Sequence, residues 1–128
     1  MRSSFLLLSV LACLTGCGSD KPEEIPLCTA SIEPAIRIEV LDAATNAPIS
    51  CGAQAVIEKS GFQETVKNEA GAGCYDGNML QGAYERAGVY KVTVTKSGYS
   101  PWSADNVTVT SDICHVKTVT LQAMMQPL

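Results

Sequence analysis

Along much of the chain apolar and polar residues alternate with a period of two. Tyr90, Val92 and Val94 share one parity and Lys91, Thr93 and Thr95 the other, which gives residues 89–96 one apolar and one wet face, as in a half-buried β-strand. The stretch 82–99 organises the rest. Arg86-Ala87-Gly88 stands just before the strand, and its glycine permits a positive-φ turn, so residues 79–85 are the expected hairpin partner. A lone hairpin is marginal in water, so this apolar face requires a second layer.

The same pattern marks the other strands. Residues 35–41 place Ile36, Ile38 and Val40 on one face and Arg37 and Glu39 on the other, and 42–48 form a turn closed by Pro48. Residues 51–59 align Cys51, Ala53, Ala55 and Ile57, whose small alanines imply close approach of the opposite sheet. After a turn at Ser60-Gly61, residues 62–67 are more polar and suit an edge. The glycine-rich segment 68–78 has little pattern, and Cys74 within it is the expected pin. Residues 106–110 are a short strand in which Val107 and Val109 face together. In 114–122, the expected last strand, Val116 is out of phase with Val119 and Leu121, so a bulge near Lys117-Thr118 is expected, followed by a tail over 124–128.

At 128 residues the chain suits one domain, and many short strands joined by turns make it all-β: a single sandwich of about seven strands. The net charge of −4 argues against nucleic acid or anionic lipid headgroups as the main partner, since both call for a basic patch. It leaves proteins and sugars open.

The amino end carries an address. Met1-Arg2 is a short positive region, residues 5–14 are apolar apart from Ser9 and Cys13, and small residues lead to Cys17, which is the order of a signal peptide. Leu14-Thr15-Gly16-Cys17 resembles the bacterial lipobox, in which the cysteine becomes the acylated first residue of the mature protein. Cleavage there divides the chain into a leader over 1–16, a lipidated tether over 17–27, the sandwich over 28–123 and the tail over 124–128. Val10-Leu11-Ala12-Cys13 is a second frame with a bulky residue beside the cut, and plain secretory release is the remaining alternative. Two or more acyl chains give stable attachment, at about 0.8 kcal/mol per buried methylene. Gly18-Ser19 lack the aspartate that resembles an inner-membrane retention signal, so the outer membrane is the expected address.

Cys28, Cys51, Cys74 and Cys114 then remain, an even count in an exported chain, and four cysteines allow three pairings. In a sandwich of this length the first and last strands commonly lie side by side and parallel, which brings Cys28 to the same end as Cys114. Cys51 starts the strand that leaves the opposite end, and a hairpin through Gly61 returns the chain near Cys74. The expected bridges are Cys28 with Cys114 and Cys51 with Cys74. No close cysteine pairs support zinc, no Cys-x-x-Cys supports redox chemistry, and neither metal nor cofactor is expected.

With these residues in place, the chain resembles the carboxypeptidase regulatory-like family, a transthyretin-like, Greek-key sandwich. The resemblance rests on residues 38–49, Cys51-Gly52-Ala53-Gln54-Ala55, residues 87–94 with Gly98-Tyr99, and Val107-Thr108-Val109 leading into Val119-Thr120-Leu121. It implies an accessory module without catalytic residues, and it implies that Tyr99 plugs one end of the sandwich. Family members often have glycine where this chain has Asn46, which also tolerates left-handed geometry.

Few residues invite a chemical role. His115 is the only histidine and reads as a strand-face residue beside a disulfide. Ser97, Ser100 and Ser103 lie outside any nucleophile-elbow motif, and Asp42, Asp76, Asp105 and Asp112 fall in turns without a calcium-loop spacing. Asn106-Val107-Thr108 matches a glycosylation pattern that has no meaning behind a bacterial leader. Tyr99 and Trp102 are the candidate ligand contacts, with Trp102 expected in a loop where an aromatic face can stack on a sugar or anchor a protein. The reading is a non-enzymatic, envelope-anchored structural or protein-interaction module; carbohydrate binding through Tyr99 and Trp102 is the alternative, and a hydrolase a remote third.

Overall fold

The computed structural model describes residues 16, 18 and 21–128. The leader residues 1–15 and Cys17, the expected acylation site, lie outside the described residues. Seven strands form two sheets packed face to face as one β-sandwich. They are β1 (Ile36–Asp42), β2 (Gln54–Lys59), β3 (Phe62–Lys67), β4 (Leu80–Gly82), β5 (Gly88–Thr95), β6 (Trp102–Val109) and β7 (Val119–Met125). One sheet has the order β4-β1-β7 and the other β3-β2-β5-β6. No helix among the described residues is long and apolar enough to cross a membrane.

The core is made by the parities that the alternation marked. Ile36, Ile38 and Val40 from β1 face Ala55 and Ile57 from β2 and Tyr90, Val92 and Val94 from β5, and all are buried. Strands β1 and β7 run parallel over their whole length, from Ile36 beside Val119 to Asp42 beside Met125. Parallel pairing puts the starts of both strands at one end of the sandwich and their finishes at the other. We call these the tether end and the far end.

Three expectations from the pattern are corrected. First, residues 79–85 are not the hairpin partner of β5: β4 pairs antiparallel with β1 in the other sheet, and β5 lies between β2 and β6. Gly88 is already a rung of β5, opposite Val109, so no two-residue turn is left. The chain crosses between the sheets instead, through Ala83 and Glu85 at φ 55° and 53°.

Second, Trp102 is not in a loop but opens β6 opposite Val94. Between Tyr90–Val107 and Val92–Ala104 the register shifts, with two steps along β5 against three along β6 and Asn106 at φ 53°. This bulge reverses the parity, so that Trp102 and Ala104 on one side of it and Val107 and Val109 on the other all pack toward the core. Third, the last strand starts at Val119 and runs through Met125, which is fully buried, so Met124 and Met125 are not tail. No bulge is needed at Lys117-Thr118, because Val116 packs from the loop before β7, bridged to Ser111.

Candidate functional site

The two ends are closed by different chemistry. At the far end Cys51 is bonded to Cys74, with Cα atoms 6.0 Å apart, and the bridge pins the glycine-rich segment as expected. Ser50, fully buried, donates from Oγ to the Asp76 carbonyl at 3.0 Å and accepts from Asn68 Nδ2 at 2.8 Å. Asn68 Nδ2 also reaches the Tyr75 carbonyl at 3.1 Å, Cys51 N–H donates to Asp76 Oδ1 at 2.8 Å, and Lys96 Nζ donates to the Cys51 carbonyl. These bonds satisfy polar groups that the fold covers.

Beside them Asp42 joins two turns. Its Oδ1 accepts from the N–H groups of Ala44 and Thr45 at 2.7 and 3.0 Å, and its Oδ2 accepts from the Tyr99 hydroxyl at 2.8 Å. The Tyr99 bond first, and then the two amides, hold the Asp42 carboxyl below its usual range, while the same bond raises the Tyr99 hydroxyl. Asn46 takes the left-handed conformation at φ 61° that its turn requires. Tyr99 therefore has its polar tip engaged and its ring half-buried, and Trp102 is half-buried against the core. Both candidate contacts pack against the core at this end.

At the tether end Cys28 is bonded to Cys114, with Cα atoms 5.3 Å apart. That link sets Thr29 beside His115, whose Nε2 lies 3.0 Å from Thr29 Oγ1, and Ser31 Oγ lies 2.9 Å from the same oxygen. On the other side of the ring His115 Nδ1 donates to Glu85 Oε1 at 2.8 Å. Glu85 also accepts from the N–H groups of Glu33 at 2.8 Å and Val116 at 3.2 Å. The Glu33 bond first, with help from His115 and Val116, holds the Glu85 carboxyl below its ordinary value, and Glu85 in turn raises the imidazole. Residues 31, 85, 115 and 116 border a cleft of about 440 Å³.

Carboxylate, imidazole and hydroxyl in line is the order of a nucleophile relay, so the neighbouring donors matter. Asp112 Oδ1 takes the N–H groups of Cys114 and His115 at 2.8 and 2.9 Å, and Glu85 takes those of Glu33 and Val116. Four amides that border the ring are thus committed to holding loops, and none of them is free to stabilise an oxyanion. What the arrangement does is join three separate segments, residues 28–33, 83–87 and 111–118. Among the described residues no three His, Cys, Asp or Glu side chains gather as a metal-holding group.

The sequence reading singled out His115 but missed Glu85, Thr29 and Ser31 as its neighbours. Thr29 was accessible to it, because pairing Cys28 with Cys114 places the residues that follow them side by side. Glu85 was not, because its approach depends on the crossover between sheets. No protein-family model matches the chain, and no curated protein matches it in sequence.

Proposed function

We propose that this protein is a lipid-anchored, disulfide-stapled sandwich of the carboxypeptidase regulatory-like kind, displayed in the bacterial envelope as a non-enzymatic structural or protein-interaction module. The observation that carries the proposal is Leu14-Thr15-Gly16-Cys17 directly behind an apolar run. The cystine at Cys28 is consistent with export, since disulfides persist in oxidising compartments. Gly18-Ser19 favour the outer membrane. A transthyretin-like assignment is supported by the seven-strand, two-sheet architecture and by the motif pieces quoted above, which fall in β1, β2, β5, β6, β7 and the turns beside them.

The half-buried packing of Tyr99 and Trp102 weighs against glycan binding through that pair, so the protein-contact reading leads. Intact-mass analysis of protein taken from its native envelope tests the anchor: the expected result is an acylated Cys17 at the mature terminus, and an unmodified terminus overturns it. Hydrolysis of a chromogenic ester that persists through purification and disappears in His115→Gln would overturn the non-enzymatic part.

A further inference from the structure

Large apolar side chains stand in water at the tether end. Ile25, Leu27, Ile32 and Ile113 are 91%, 98%, 68% and 78% exposed. The Cys28–Cys114 bond joins the two segments that carry them. Ile25 and Ile113 share a groove of about 310 Å³ that Pro26 also lines, and Leu27 immediately precedes the bonded Cys28. Tyr75 and Leu128 are also exposed, but at the far end, and Met79 and Tyr84 border a separate groove of about 390 Å³.

We propose that this apolar cluster seats on a zwitterionic lipid surface, so that the sandwich stands on the membrane with its tether end down. The proposal rests on the anchoring read from Cys17. If that cysteine is acylated, residues 18–27 are the whole tether, and a chain of that length spans no more than about 35 Å even when fully extended. Cys28, where the tether meets the body, is fastened to the end that carries the cluster. The bilayer is therefore held near these side chains at high effective concentration, and weak apolar contacts suffice. Charge selects the lipid: Glu23 and Glu24 line the same groove, and their carboxylates pair with the ammonium ends of zwitterionic headgroups but are repelled by anionic ones.

Fluorescence quenching in vesicles tests the idea with the acylated protein. Wild type reports from Trp102, which opens β6 at the far end of the sandwich; Ile113→Trp and Leu27→Trp, each in a Trp102→Phe background, report from the cluster. Exposed positions tolerate the change, and two reporters guard against one misfolded variant. In phosphatidylcholine vesicles brominated on the acyl chains, emission from both cluster reporters is expected to fall by about half while Trp102 changes little, since apolar side chains of interfacial segments reach about 5–10 Å into the headgroup boundary. Co-flotation with vesicles but no quenching at either position overturns the seating and leaves the anchor intact. Failure to float overturns the anchor and the seating together. A blue shift without quenching means that protein covers the cluster, which overturns the lipid partner in favour of a second copy.

Discussion

At the far end of the sandwich the covered polar groups find partners within the body, and an apolar strand end, Met125, is sealed beneath them. At the tether end the polar network lies half open to water and apolar side chains project beyond it. Each end has one disulfide, so the covalent link does not make the difference. The far end joins segments that belong to the core, whereas the tether end fastens an outside segment onto it. One cap completes a domain, and the other makes a joint.

Four changes probe this contrast, in order of expected size. Replacing Cys28 and Cys114 by serine frees a sequence separation of 86 against 23 for the other pair, so the chain-entropy model gives a loss of about 4.6 against about 3.4 kcal/mol. Urea midpoints of the two double variants should fall in that order. The reverse order would mean that the joint contributes little to the folded body. Met125→Ala removes a fully buried side chain from β7 and should cost about 3 kcal/mol by the same measurement. A loss under about 0.5 kcal/mol would return Met125 to an unpacked tail.

Ser50→Ala leaves Asn68 and the Asp76 carbonyl short of a partner and should cost about 1–2 kcal/mol. A neutral result in thermal melts would show that water replaces the hydroxyl and that the far end is less closed than its packing implies. The smallest effect is the pH dependence of the joint. Glu85 is depressed, so its contribution is complete above its ordinary value of 4.5 and is lost as pH falls through the folded value. His115 is raised, so its contribution is complete below its ordinary value of 6.5 and is lost as pH rises through the folded value. Together they should give a shallow stability maximum between pH 4.5 and 6.5, seen in melts of wild type and absent in His115→Gln. An identical profile in the variant would remove the imidazole from the account.

Much of the fold could be read from alternation, because each inward face is made by consecutive residues of one parity. Residues 62–67 were read with their observed bounds, and the parallel neighbours at the two ends of the domain gave the disulfide pairs. The failures share a cause: information that lies between strands. The bulge at Asn106 moves Trp102 out of phase with Val107, so a period-two scan ends the strand early and leaves the tryptophan in a loop. The crossover through Ala83 and Glu85 depends on left-handed residues that carry no glycine signal. Met125 looked like tail because Val116 suggested a frame five residues too early. Of the candidate site, His115 was visible as a residue but not as a member of a network, since its carboxylate arrives from a turn that only the sheet order places there.

The parallel course of β1 and β7 has a mechanical consequence. On the proposed anchoring, a pull between the tether and a contact at the far end would load this pair lengthwise, so that its hydrogen bonds would have to shear together rather than unzip one by one. The Cys28–Cys114 bond then offers a covalent route for the tension, from the tether straight into the segment that leads to β7, and spares β1 from being drawn out first. Reduction of that single bond would convert a stiff post into an extensible one.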